Sequence, residues 1–255
     1  MIIDTHAHYD DDAFQEDREI LLQSLKSNNI EKVVNIGANI ETSKNTIDLT
    51  NKYDFIYGVI GVHPSDVDEL NEENFKFLEE GAKLPKIVAI GEIGLDYYWD
   101  NVDRDIQKKW FIRQLQLAKE QNLPVVIHSR DAASDTLEIM KEYGKELVGV
   151  IHCYSYSAMM AREYVNMGYY LGIGGVVTFQ NAKKLKEVVE AIPLEFLVLE
   201  TDAPYLSPVP NRGKRNSSLN LKYVIEEISK IKNVSEDEVI RITNENAKKL
   251  YHFEG

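Results

Sequence analysis

Eight short apolar runs, each followed by a segment with helical spacing, constrain this 255-residue chain more than any other feature. The runs lie near 2–6, 33–37, 55–62, 87–92, 125–128, 148–152, 169–174 and 196–200. Val125-Val126-Ile127 and Phe196-Leu197-Val198-Leu199 are continuously apolar rather than alternating, as strands of a parallel sheet covered on both faces are. Between the runs, helical spacing recurs at Ile20, Leu21 and Leu25, at Ile106, Trp110, Phe111, Leu115 and Ala118, and at Leu221, Val224, Ile225 and Ile228. Ser235 followed by Glu238 predicts a capping box that opens a last helix through Val239, Ile242, Ala247 and Leu250. Strand then helix, eight times over, predicts an α/β fold: a (β/α)₈ TIM barrel forming a single domain over 1–255, with a doubly wound open sheet as the alternative.

Composition agrees with a compact globule. Hydrophobic residues make up 44% of the chain, enough for a large core, and no Pro-, Gly- or Ser-rich linker or sequence repeat interrupts it. The strand pattern begins at residue 2 without a basic region or a long apolar stretch, so no secretory signal is expected. The uncharged stretch before Lys183, starting at Asn166, holds four glycines, which argues against a membrane span. The single cysteine, Cys153, cannot form an intrachain disulfide; it reads as a core residue, and a reducing, cytoplasmic setting is expected. A net charge of −13 disfavours grip along a broad phosphate backbone but leaves room for a nucleic-acid end held in a pocket. No obligate protein partner is evident, and a monomer is the default.

In a barrel of this kind the chemistry sits at the C-terminal ends of the strands. Asp4-Thr5-His6-Ala7-His8 closes the first run, and alternate residues of a strand share a face, so His6 and His8 can hold one metal ion. Glu92, His128, His152 and Asp202 stand at the ends of the fourth, fifth, sixth and eighth runs. Of the six histidines only His252 falls outside this catalytic face, His63 standing at the end of the third run. Six ligands are too many for one tetrahedral ion and suit two ions sharing a bridge, with His6, His8 and Asp202 on one, His128 and His152 on the other, and Glu92 between them. Imidazole and carboxylate together accept Zn, Mn, Co or Mg. Two such ions roughly 3.5–4 Å apart clamp the attacking and leaving oxygens of a hydrolysis.

Other residues at the same ends offer contacts to a substrate. His63 precedes Pro64, which biases it to an extended conformation; it can polarise a phosphoryl oxygen, protonate a leaving alkoxide or orient a ligand. Arg130 follows His128 by two residues and carries the planar fork that binds phosphate. Arg212, Lys214 and Arg215 form the densest cationic cluster, on a loop after the eighth run broken by Pro208, Pro210 and Gly213. Tyr97, Tyr98 and Trp99, after the fourth run, suit stacking on a nucleobase and plain packing equally.

These motifs occur in blocks. Asp4 to His8 is followed by Gly61-Val62-His63-Pro64, by Ile90-Gly91-Glu92-Ile93-Gly94-Leu95-Asp96-Tyr97, and by Leu123 to Ala132 around His128. Ile151-His152-Cys153-Tyr154-Ser155, Leu199-Glu200-Thr201-Asp202-Ala203-Pro204-Tyr205-Leu206, Arg212-Gly213-Lys214-Arg215-Asn216 and Asn246-Ala247 complete the series. In this order they resemble the TatD-type metal-dependent deoxyribonucleases of the amidohydrolase superfamily, over nearly the whole chain. The resemblance implies that the six ligands carry two divalent metal ions and that His63 lies in the active site. Asp202, Glu92 and His63 then stand as catalytic candidates, and His63, Arg130, Tyr205, Arg212, Lys214 and Arg215 as substrate contacts. It further implies DNA as substrate, trimmed from the 3′ end of single strands. Asp202, a metal ligand with a second oxygen free, is the best candidate to orient the attacking water and accept its proton. A hydrolase of small esters, lactones or amides, a D-aminoacyl-tRNA deacylase, and a non-catalytic metal-binding scaffold are the alternatives. One departure stands out: the family commonly follows the Arg-Gly-Lys-Arg-Asn block with Glu-Pro, where this chain has Ser217 and Ser218, so the loop shaping the substrate end of the pocket is expected to differ.

Overall fold

The computed structural model describes residues 1–99 and 101–253. Among them, eight strands follow one another in a single sheet in the order β1 to β8: β1 (Ile2–Ala7), β2 (Ile30–Ile36), β3 (Ile56–Ile60), β4 (Ile87–Asp96), β5 (Val125–Arg130), β6 (Gly149–Ile151), β7 (Tyr170–Ile173) and β8 (Leu197–Leu199). The helices between and after them are α1 (Arg18–Leu25), α2 (Ile40–Lys52), α3 (Glu72–Gly81), α4 (Arg104–Gln121), α5 (Ala133–Tyr143), α6 (Ala158–Asn166), α7 (Lys183–Ala191), α8 (Leu221–Lys232) and α9 (Glu236–Leu250). Parallel strands in chain order, each followed by a helix, make this the (β/α)₈, TIM-barrel class, as the alternation of apolar runs predicts. No helix among the described residues is long and apolar enough to cross a membrane.

Two compact units divide the chain: Met1–Asn35 together with the residues from Cys153 onward, and Ile36–His152. In the first, β1 pairs in parallel with β2, and β7 with β8. The Thr5 hydroxyl donates to the Leu199 carbonyl and Ala7 bridges to Ala203, so the ends of β1 and β8 are joined. The Asn244 side chain of α9 accepts from the Ile3 amide, and the Tyr251 hydroxyl donates to the Thr5 carbonyl, which seats the last helix against β1. In the second unit β3, β4, β5 and β6 pair in parallel in sequence order.

Local chemistry sets the helix ends. Asn39 and Asn71 cap α2 and α3 reciprocally with Thr42 and Asn74, and Asp103 caps α4 by accepting from the Asp105 and Ile106 amides. Ser235 accepts from the Glu238 amide, the forward half of the predicted box. Asn122 and Asn233 end α4 and α8 in the left-handed conformation that asparagine tolerates. The predicted core faces of α8 and α9 are buried, but two expectations need correction. Ile20 is 73% exposed, because α1 turns Leu22 and Leu25 inward instead, and Ile106 stands half out of the first turn of α4. Short helices leave the phase of the apolar stripe ambiguous, and packing chose the three-residue spacing of Leu22 and Leu25.

Candidate active site

In the first unit the site is built by the joined ends of β1 and β8. The Asp202 and Thr201 amides both donate to the His6 carbonyl, and the His8 amide donates to the Ala203 carbonyl. That backbone lacing leaves Asp202 in the left-handed region, at φ 54°, and brings its carboxylate beside two imidazoles. His6 Nε2 and His8 Nε2 are 3.2 Å apart, and Asp202 Oδ1 lies 3.4 Å from the second and 3.7 Å from the first. Ligand atoms about 2.1 Å from a tetrahedral cation stand about 3.4 Å from one another, so these three fit a divalent ion.

Beneath this triad lies a buried polar chain. Asp4 is fully buried and accepts from the Thr201 amide and hydroxyl, the Ser218 hydroxyl and the His6 amide. The Ser218 amide donates to the Tyr9 hydroxyl, which donates to Ser218 Oγ, which in turn donates to Asp4 at 2.6 Å. Burial pushes the Asp4 carboxyl up to about 7, against the pull of these donors. Ser218, one of the two residues standing where the family commonly has Glu-Pro, is wholly buried and braces the strand that carries His6 and His8. Ser218→Ala is expected to lose about 1.5–3 kcal/mol of stability, since it strips a donor from a buried carboxylate. A urea midpoint that falls at unchanged slope would show this, and a midpoint equal to that of the parent would refute the bracing role.

In the second unit β4 and β5 supply the chemistry. Their register sets Gly94 opposite His128 and Asp96 opposite Arg130. β5 runs from a fully buried Val125 to Ile127 out to a half-buried His128 and an exposed Arg130, so the strand end surfaces where its polar residues begin. The His152 amide donates to the Ile127 carbonyl, and the His63 amide donates to that of Ala38. As a result, Glu92 Oε1 lies 2.7 Å from His128 Nδ1, 3.5 Å from His152 Nε2 and 3.9 Å from His63 Nε2. Glu92 Oε1 with the nitrogens of His128 and His152 again offers the mixed donor set of a divalent cation.

Two residues in this group deserve separate account. His63 packs edge-on against His128, at 4.2 Å between centroids, and its Nδ1 accepts from the Ser65 amide. Burial and the neighbouring His128 push its pKa down to about 3, so the ring is neutral and presents Nε2–H on the side of Glu92. Asp96 is the residue that sequence reasoning overlooked. Its Oδ2 lies 3.0 Å from His128 Nε2, fixing the ring that touches Glu92 through its other nitrogen. Burial opposes the charged form of both groups, yet their mutual hydrogen bond lowers the Asp96 pKa and raises that of His128. The signal was available: residues 92, 94 and 96 alternate onto one face of a strand.

The remaining sequence-derived contacts separate by environment. Tyr205 sets its ring across His8, at 6.4 Å between centroids, and donates its hydroxyl to Asp11 Oδ2. Arg212 lies over the Phe179 ring, and Lys214 is exposed. Arg215 instead grips Asp17 through both terminal nitrogens, at 2.7 and 2.6 Å, and the Ala13 carbonyl as well. Cys153 is half-buried past the end of β6 at φ 45°, its amide donating to Glu200, rather than in the core.

Comparison with known proteins places this geometry. The family model described as TatD related DNase matches residues 3–252. The chain is 46% identical over 254 residues to YabD of Bacillus subtilis (strain 168), described as an uncharacterized metal-dependent hydrolase, covering 99% of this chain and 100% of that protein. It is 32% identical to YcfH of Escherichia coli (strain K12), another protein so described, covering 100% and 97%. Among solved structures, the TatD homolog YjjV of Escherichia coli K12 superposes with a TM-score of 0.93 at 29% identity, covering 99% of this chain and 98% of that one.

Proposed function

Since the chain belongs to the TatD-related DNase family, we propose that it is a metal-dependent hydrolase that cleaves phosphodiester bonds of DNA, working from the 3′ end of single strands. The observation that carries the hydrolytic reading is Glu92 Oε1 set among the nitrogens of His128, His152 and His63, with the His6, His8 and Asp202 triad as its counterpart in the other unit. His6, His8 and Asp202 would hold one divalent cation, and Glu92, His128 and His152 a second. Bound cations of this kind lower the pKa of water and neutralise charge developing on a phosphoryl oxygen.

The chain's own groups do the rest. Asp202 accepts the proton of the attacking water on its carboxylate. His63, neutral and carrying its hydrogen on Nε2, donates to a phosphoryl oxygen or to the departing alkoxide. Asp96 keeps the His128 ring from rotating. Arg130, Arg212 and Lys214 offer positive charge to the phosphate, whereas Arg215 anchors its loop to Asp17.

Chelator-stripped protein incubated with end-labelled single-stranded DNA and Mg, Mn or Zn in turn tests the reading. Shortening from the 3′ end that depends on added metal is the expected result. Intact DNA with every metal, alongside hydrolysis of a lactone, a carboxylic ester or a D-aminoacyl-tRNA, would replace phosphodiester chemistry with carbonyl chemistry at the same groups.

A further inference from the structure

β4 ends at Asp96, and the turn after it leaves two large aromatic side chains in solvent: Tyr98 is 53% exposed and Trp99 62%. Rings of this size ordinarily contribute to a core, so an exposed adjacent pair calls for an occupant. The two stand edge to face, with centroids 5.0 Å apart. The Arg130 guanidinium lies 3.7 Å above the Tyr98 ring and 5.6 Å from that of Trp99. Stacked on its flat face, a guanidinium keeps its edge N–H groups for an anion, and among the described residues no carboxylate pairs with Arg130.

The turn is held in place. Asp96 Oδ1 accepts from the Tyr98 and Trp99 amides at 2.9 and 3.4 Å, and the Tyr97 amide donates to the Arg130 carbonyl. The Tyr97 hydroxyl donates to Asp135, which Lys108 also grips. The other oxygen of Asp96 takes His128 Nε2. One carboxylate thus fixes both a candidate ligand ring and the aromatic turn.

We propose that Tyr98, Trp99 and Arg130 form a stacking subsite for a nucleobase of a single-stranded nucleic acid, with the Arg130 edge taking an adjoining phosphate. The identity of the substrate rests on the phosphodiester reading above. Two aromatic faces and a cation suit any base, because every base has a π face, so the subsite selects for the presence of a base and not for its identity. A lactone or a small aliphatic ester has nothing to place there.

Trp99 reports on its own occupancy. The chain's other tryptophan, Trp110, is buried and stacked on Phe75, so Trp110→Phe leaves one indole to observe. The Trp110→Phe, Glu92→Gln protein is titrated with oligothymidylate and with a chain of equal length made of abasic residues. The expected result is quenching of Trp99 emission by oligothymidylate, with affinity about tenfold above that of the abasic chain. Trp99→Ala should reduce that preference, measured by competition in the Glu92→Gln background, to less than twofold, and Trp99→Phe should restore most of it. Equal binding of the two chains, or a preference that survives Trp99→Ala, overturns the subsite. Because binding is read in protein whose turnover Glu92→Gln suppresses, failure of the cleavage assay and failure of the stacking assay are separate results.

Discussion

Glu92→Gln is expected to lower turnover on the order of 10³-fold, about 4 kcal/mol of barrier, while the protein stays folded. Glutamine keeps the shape of the side chain but replaces an acceptor-only anion with a neutral amide. Glu92 Oε1 is the point on which His128 at 2.7 Å, His152 at 3.5 Å and His63 at 3.9 Å converge. Without its charge, the three imidazoles lose the carboxylate on which they converge, and a cation held by His128 and His152 loses the anionic ligand between them. Metal content by mass spectrometry and initial rates at saturating metal measure the two losses separately. Near-parental rates with full metal occupancy would remove Glu92 from the catalytic set.

Gly94→Ala is expected to cost about 4 kcal/mol of stability or more, which places it among the largest single-residue effects in proteins. Gly94 has φ 147°, a region that L side chains rarely enter, and a Cβ there would stand 1.9 Å from the His128 carbonyl oxygen. The obstruction is backbone in the paired strand, so no side-chain rotation relieves it. Moving β5 aside to make room would also carry His128 away from Glu92 and Asp96. Chemical denaturation should show the loss directly, and an alanine variant within 1 kcal/mol of the parent would mean that β4 and β5 do not meet in this register.

How far the chain could be read without its structure depended on the range of the interaction concerned. All eight strands lie where the apolar runs place them, because burial on both faces is a property of each short segment by itself. The helix caps at Ser235 and the stripes of α8 and α9 are local in the same sense. Ile20 shows where locality ends: its spacing fits an apolar stripe, but the neighbour that decides which stripe is buried lies elsewhere in the sequence. Arg215 makes the same point for charge. A basic run after β8 reads as an offer to phosphate, and only the fold reveals that Asp17, far away along the chain, already holds one member of it.

His6, His8, Glu92, His128, His152 and Asp202 were marked by sequence alone, since six groups able to hold a metal fall together at the ends of apolar strands. The brace that Ser218 gives Asp4, the hold of Asp96 on His128 and the exposure of Tyr98 and Trp99 beside Arg130 came only from tertiary structure. Residue type and strand parity are written along the chain, so the chain alone determined which side chains stand at strand ends. Strand register, and the return of a loop to a distant strand, decided which carboxylate steadies which imidazole, because a hydrogen bond is made at about 3 Å in space between groups whose separation in sequence carries no information about that distance.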